Sequence, residues 1–201
     1  MLLGVIKEAT RVHHNALEAE LDVQACLSSR ASWLWLLETF SGYWVPVEAA
    51  LFAPPALAGW LPDAHLRLKS ALLSRDIEAL GGDAPRTSLC PELPPLTSLA
   101  EKFGSLYVLE GATLGGQIIS RLASGHGYTS ERGCAFFASY EGKIGPMWKT
   151  FCMQLEAYGT AHPDTHDVVV ASAVETFARF GSWISRRKCE LPKTNDYAPK
   201  R

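Results

Sequence analysis

The chain carries almost no excess of charge, no paired cysteines and no apolar run long enough to cross a bilayer. Each absence closes a class of function. Lys and Arg number 19 against 21 Asp and Glu, a formal charge of −2. With no basic run and no nucleic-acid-binding motif, no nucleic-acid partner is expected. The five cysteines (Cys26, Cys90, Cys134, Cys152, Cys189) are odd in number, scattered, and contain no CxxC pair. Neither a disulfide framework nor a structural zinc site follows from them, and a reducing cytoplasm is the simplest compartment. Apolar runs fall short of the roughly 18 residues of a membrane span, so no membrane partner is expected. The opening MLLGVIKEATR has too short an apolar stretch for a signal peptide and already carries helical periodicity. Internal repeats, long linkers and alternating strand patterns are also missing.

What is present is a globular composition. The 201 residues are 47% hydrophobic and 20% charged, which suits one domain with a sizeable core. Helical periodicity dominates. Leu2 to Glu20 places Ile6, Ala9, His13, Ala16 and Leu17 on or near one face. Ser28 or Ser29 caps a second helix through WLWLLETFSGYW, with Pro46 expected to kink it. A third is expected from about Ala64 to Leu80, stopped by Gly81 and Gly82. Residues 82–96, with Gly82, Pro85, Pro91, Pro94 and Pro95, read as a surface loop. Thr97 or Ser98 caps a helix to about Ala123. Two more run through WKTFCMQLEAY and VVVASAVETFARFGSWISR. LDVQACL is short and ambiguous. The fold class is all-α, a single irregular bundle over residues 1–187, and residues 188–201 are expected to form a mobile tail.

Two features ask for a ligand. The first is YVLEGATLGGQIISRL, Tyr107 to Leu122, where Gly111, Gly115 and Gly116 sit inside a helical apolar pattern. Each mid-helix glycine costs about 0.5–1 kcal/mol relative to alanine. Either something flat and large approaches this backbone, or two helices pack closely across the small residues. The second is the stripe formed by Lys7, Arg11, His14 and Glu18, at i, i+4, i+7 and i+11 of the first helix. It offers two cations, an imidazole, and a carboxylate one turn away that can accept the ring N–H and fix its tautomer. Alone, the stripe equally describes a solvated charged face. Periodicity places His13 nearer than His14 to the middle of the apolar face. Taken together, a His-bearing helix and a Gly-bearing helix suit a flat, apolar, anionic, metal-containing ligand, which is a haem.

At these residues the chain resembles the bacterial haem oxygenases, most of all the type found beside bacteriophytochromes. The strings are IKEATRVHHNALE, YWVPVE (Tyr43 to Glu48), YVLEGATLGGQ, FFASYEGKIGPMWKTF and TFARFGSWI. They follow the family's order. The resemblance implies a haem-oxygenase-like bundle and oxidative opening of haem b at a meso carbon. The products would be biliverdin, CO and ferrous iron. Oxygen is consumed, and electrons come from an external ferredoxin, flavodoxin or reductase, because the chain has no flavin, nicotinamide or iron–sulfur motif. Haem is then both cofactor and substrate.

Residue by residue, the resemblance implies that His14 is the proximal iron ligand and that Glu18 is its acidic partner. Lys7, Arg11 and Lys149 match basic positions beside the propionates. Tyr107 lies one residue off the place where the mammalian members carry a propionate-contacting tyrosine. Gly111, Gly115 and Gly116 match the distal glycines, and Phe177 and Trp183 match aromatic wall positions. There is one departure. Where mammalian and some bacterial members carry a water-ordering aspartate just after the first distal glycine, this chain has Ala112. Ala112 keeps open a haem-binding or haem-shuttling protein on the same scaffold. A thiaminase-like or di-iron carboxylate protein is a further alternative. The first needs a nucleophilic cysteine, with Cys134 and Cys152 as candidates by position; the second needs paired ExxH elements, which are not evident.

Overall fold

A computed structural model describes residues 1–54 and 57–189, apart from the side chain at position 141. Among the described residues seven α-helices follow in chain order: α1 Leu2–Glu20, α2 Val23–Leu27, α3 Arg30–Phe52, α4 Ser70–Ala79, α5 Leu99–Ser124, α6 Ile144–Ala161 and α7 His166–Cys189. No strand occurs among the described residues, and the all-α class is observed.

Local chemistry explains three of the helix starts. Ser29 accepts the Ser32 amide at 3.1 Å and begins α3. Asp22 accepts the Ala25 amide at 2.9 Å, which makes the ambiguous LDVQACL segment the short helix α2. At α5 the Glu101 amide donates to Ser98 Oγ at 3.2 Å, and Glu101 Oε2 accepts the Ser98 amide at 2.8 Å. This is a complete capping box. The helix α1 has no cap of its own. Its Leu2 and Leu3 amides instead donate to the Glu156 carboxylate of α6 at 3.1 and 2.8 Å. A negative charge at a helix N-terminus also suits the backbone dipole. Glu156→Ala is therefore expected to cost about 1 kcal/mol, read as a lower urea midpoint, with fraying confined to the start of α1 in amide exchange.

One expectation is corrected. The helix expected from Ala64 starts at Ser70; Ala64–Leu66 forms a separate 3₁₀ turn. The Arg67 and Lys69 side chains are fully buried in polar contacts, which a solvent-facing helix would not provide. The helix α3 runs on through Pro46 to Phe52. The expected tail lies outside the described residues except for Lys188 and Cys189, which α7 includes.

The helix α7 is the hub, packed on both α5 and α1. Gly104 makes the α5 contact possible: a Cβ there would stand 2.2 Å from the Val169 carbonyl oxygen. Ser105, Ser172 and Thr176 hydroxyls join across this seam. From α3, Tyr43 OH donates to the Thr176 carbonyl at 2.9 Å, and the Thr39 carbonyl accepts Trp183 Nε1–H at 2.8 Å. Phe40, Trp44, Phe136, Phe137 and Phe180 form a mutually contacting aromatic cluster between α3, α7 and the segment before α6.

Candidate functional site

Between α1 and α5 lies a cavity of about 800 Å³. Cofactor and small-molecule sites commonly span roughly 300–1,000 Å³. Its floor is the aromatic cluster, with Phe40, Tyr43 and Trp44 from α3 and Phe136 and Phe137 from the segment before α6. The helix α7 contributes Phe177 and Phe180, and α6 contributes Trp148.

One wall is the charged stripe of α1. Lys7, Arg11, His14 and Glu18 all line the cavity. Their spacing puts them on one helix face, and that face is turned to the cavity because Leu2, Ile6 and Thr10 anchor the helix in the core. The His14 Nδ1 stands 3.5 Å from Glu18 Oε2, and its ring meets the edge of Phe177 with centroids 6.0 Å apart. A carboxylate at Nδ1 favours the tautomer whose Nε2 lone pair is free to bind a metal. Arg11 reaches back to Glu8 at 3.1 Å; Glu8 also lines the cavity and was not singled out from the sequence. His13, nearer the centre of the apolar face by periodicity, stands half-buried and outside the lining.

The facing wall is α5, from Tyr107 to Ile119. The three glycines differ in what their missing side chains make room for. A Cβ at Gly115 would meet nothing within 4 Å, and one at Gly111 would touch Trp148 at an ordinary 3.7 Å. A Cβ at Gly116 would stand 3.1 Å from the Phe137 carbonyl oxygen. Gly116 thus lets α5 seat against protein backbone, and Gly115 leaves the wall bare. Close packing across a small residue is observed at Gly116, while Gly115 faces the open cavity. Ala112 lines the cavity as well.

Tyr107 lies half-buried on the α5 wall with its ring 5.6 Å from Trp148. Burial raises its phenol above the ordinary range, partly offset by a hydrogen bond with Thr10. Lys149 is not brought to the site: it is exposed on α6 and outside the lining. Trp183 is buried against α3, bonded to Thr39, and also outside it. Neither candidate cysteine lines the cavity, and burial pushes both the Cys134 and Cys152 thiols up to about 11. A nucleophilic thiolate is disfavoured at both. Among the described residues, no three His, Cys, Asp or Glu side chains gather as a metal site. A metal held at His14 would need a ligand that brings its own donors.

Sequence spacing missed a buried polar cluster behind the α5 wall. Glu110 is fully buried and accepts from Arg67 Nη1 at 2.5 Å, Lys69 Nζ at 2.6 Å and Tyr140 OH at 2.7 Å. Arg67 also forks onto Asp63 at 2.9 and 2.8 Å. Lys69 and Ser139 line the cavity. The only usable signal was Glu110 itself, an acidic residue within an apolar helical run.

The family described as heme oxygenase matches residues 1–186. Among solved structures, the NO- and CO-bound heme oxygenase from Neisseria meningitidis superposes with a TM-score of 0.81. It shares 20% identity, and the match covers 93% of this chain and 92% of that one. No curated protein matches the sequence.

Proposed function

Because this chain belongs to the heme oxygenase family, we propose that it binds haem b between α1 and α5 and opens the macrocycle at a meso carbon. Haem serves as cofactor and substrate, and supplies the iron at which oxygen is reduced. The products are biliverdin, CO and ferrous iron. The electrons come from an external ferredoxin, flavodoxin or reductase, and the compartment is the cytoplasm. No helix among the described residues is long and apolar enough to cross a membrane. Residues 1–187 are the catalytic domain in this reading.

The observation that carries it is the pairing of His14 on one wall with the bare backbone at Gly115 on the other. His14 holds the iron, and Glu18 orients its ring. Lys7 and Arg11, exposed at the cavity edge, are placed to meet propionates. Each such charge-assisted contact contributes about 1.5–3 kcal/mol when desolvated, and less where water reaches it. Tyr107 and Phe177 line the cavity and confine the ring. Gly111, Gly115 and Gly116 keep side chains off the oxygen-binding face. The aromatic floor excludes water. The five motif strings, YWVPVE among them, support the bacteriophytochrome-associated type within the family.

Ala112 favours one competing reading, a haem-binding or shuttling protein that never cleaves the ring. Purified protein given haemin, a reductase system and oxygen separates the two. The expected result is loss of the Soret band with a matching rise of biliverdin absorbance. Haem that stays intact through repeated reduction would sink the cleavage reading and leave shuttling.

A further inference from the structure

The reading above needs a proton donor on the α5 side, and Ala112 cannot serve. Four polar side chains that line the cavity are buried: Thr10, Lys69, Thr113 and Ser139. Two of these are satisfied within their own helices. Thr10 Oγ1 donates to the Ile6 carbonyl at 2.8 Å, and Thr113 Oγ1 to the Glu110 carbonyl at 2.6 Å. The other two have capacity to spare. The Ser139 hydroxyl is buried without any hydrogen-bond partner. Lys69 Nζ donates to Glu110 Oε1 at 2.6 Å and to the Arg67 carbonyl at 3.3 Å. An ammonium has three N–H donors, and protein oxygens take two of them.

The surroundings hold these two groups in place. The Tyr140 ring lies 4.7 Å beneath Lys69 Nζ, and its hydroxyl is fixed on Glu110. Tyr140 keeps a left-handed backbone, φ 64°, and it directly follows Ser139. A conformation that non-glycine residues seldom adopt persists where contacts on several sides impose it. Leaving a buried hydroxyl unpaired is costly. A polar site beside open volume is where a water molecule is held.

We propose that Lys69 and Ser139 together hold a water molecule at the α5 wall, and that this water is the proton donor to substrate-bound oxygen. The role rests on the haem-cleaving reading; the water site itself does not. The water gives one proton to the oxygen and takes one from the Lys69 ammonium. No electron moves, the water is unchanged overall, and a neutral amine remains until solvent returns the proton. Burial pulls the Lys69 ammonium below the usual lysine range, against the opposing pull of Glu110. That brings it nearer to a useful donor. The Asp63 end of the cluster is partly exposed to solvent. Lys69 and Ser139 are 70 residues apart in the chain, and the fold brings both to one cavity.

The test uses the full chain loaded with haem, and Lys69→Met and Ser139→Ala variants. Haem affinity is measured first, then the C–O stretch of the ferrous carbonyl form in H₂O and D₂O, then the biliverdin rate. Both variants are expected to bind haem within a few-fold of wild type. The C–O stretch should rise in Lys69→Met, because a positive donor near the ligand is lost, and its D₂O sensitivity should fall in both. Biliverdin formation should slow by about 100-fold in Lys69→Met and about tenfold in Ser139→Ala. Ser139→Ala removes a single oxygen and carries the test even if Lys69→Met folds poorly. An unchanged band and D₂O response in haem-loaded variants overturns the proposal. So does a loss of haem affinity in Lys69→Met beyond tenfold, which would make Lys69 a propionate anchor. Intact haem in the wild type, with the band responding as expected, would instead overturn the cleavage reading and keep the water site.

Discussion

His14→Ala is expected to lose the ordinary spectrum of the ferric haem complex, and added imidazole is expected to restore it. His13→Ala should keep the spectrum. The substitution is clean because the His14 side chain is 54% exposed on the cavity wall, so truncation opens no hole in the core. Far-ultraviolet dichroism and the urea midpoint should stay within about 0.5 kcal/mol of wild type, as for a surface substitution. The losses are the proposed iron ligand, the contact with Glu18 and the edge contact with Phe177. Free imidazole can occupy the vacated volume because it is the ring that the truncation removes. His13 stands on the adjoining, half-buried face. Its removal should cost some stability and leave the spectrum alone. The reverse pair of results would assign the iron to His13 and make the apolar-face periodicity the better guide.

That pair of histidines shows how far the sequence could be read. Helical periodicity predicts α1 with both of its ends, Leu2 and Glu20. It cannot tell whether a stripe of charge faces water or a cavity, because both are polar faces of the same helix. The register of the first family string, four residues after Thr10 and four before Glu18, points to His14 where periodicity points to His13, and His14 is the one that lines the cavity. The α5 start is legible because a capping box is local chemistry, four residues that satisfy one another. The α4 start is not, because Arg67 and Lys69 are drawn inward by Glu110, 43 and 41 residues away. The cluster behind α5 draws on three separated stretches of chain, and no spacing rule joins them. Gly104 looks ordinary in the sequence, and only the Val169 carbonyl beside it gives it a reason. Lys149 fails to reach the cavity because α6 turns Trp148, its neighbour, to that side.

The largest effect on turnover is expected from Gly115→Leu. At this position a Cβ meets nothing within 4 Å, so a side chain enters without displacing protein. Replacing a mid-helix glycine also relieves a propensity cost of about 0.5–1 kcal/mol. The variant should therefore fold as well as wild type or slightly better, with helicity unchanged. Its isobutyl group would instead project into the cavity, against the face opposite His14, where the proposed reaction needs bare backbone. Biliverdin formation should be abolished, with haem binding weakened or oxygen excluded. Gly116→Ala is the matched control for packing. Its Cβ would press on the Phe137 carbonyl oxygen at 3.1 Å, closer than nine in ten real contacts. That strain should appear as lost stability, since neither a helix backbone nor the Phe137 peptide yields easily. The two neighbours thus separate the two meanings of glycine in one helix. Gly115→Leu should lose function and keep its urea midpoint, and Gly116→Ala should lose stability first. Normal turnover in Gly115→Leu would show that nothing large approaches this backbone, and the distal wall would have to lie elsewhere in the cavity.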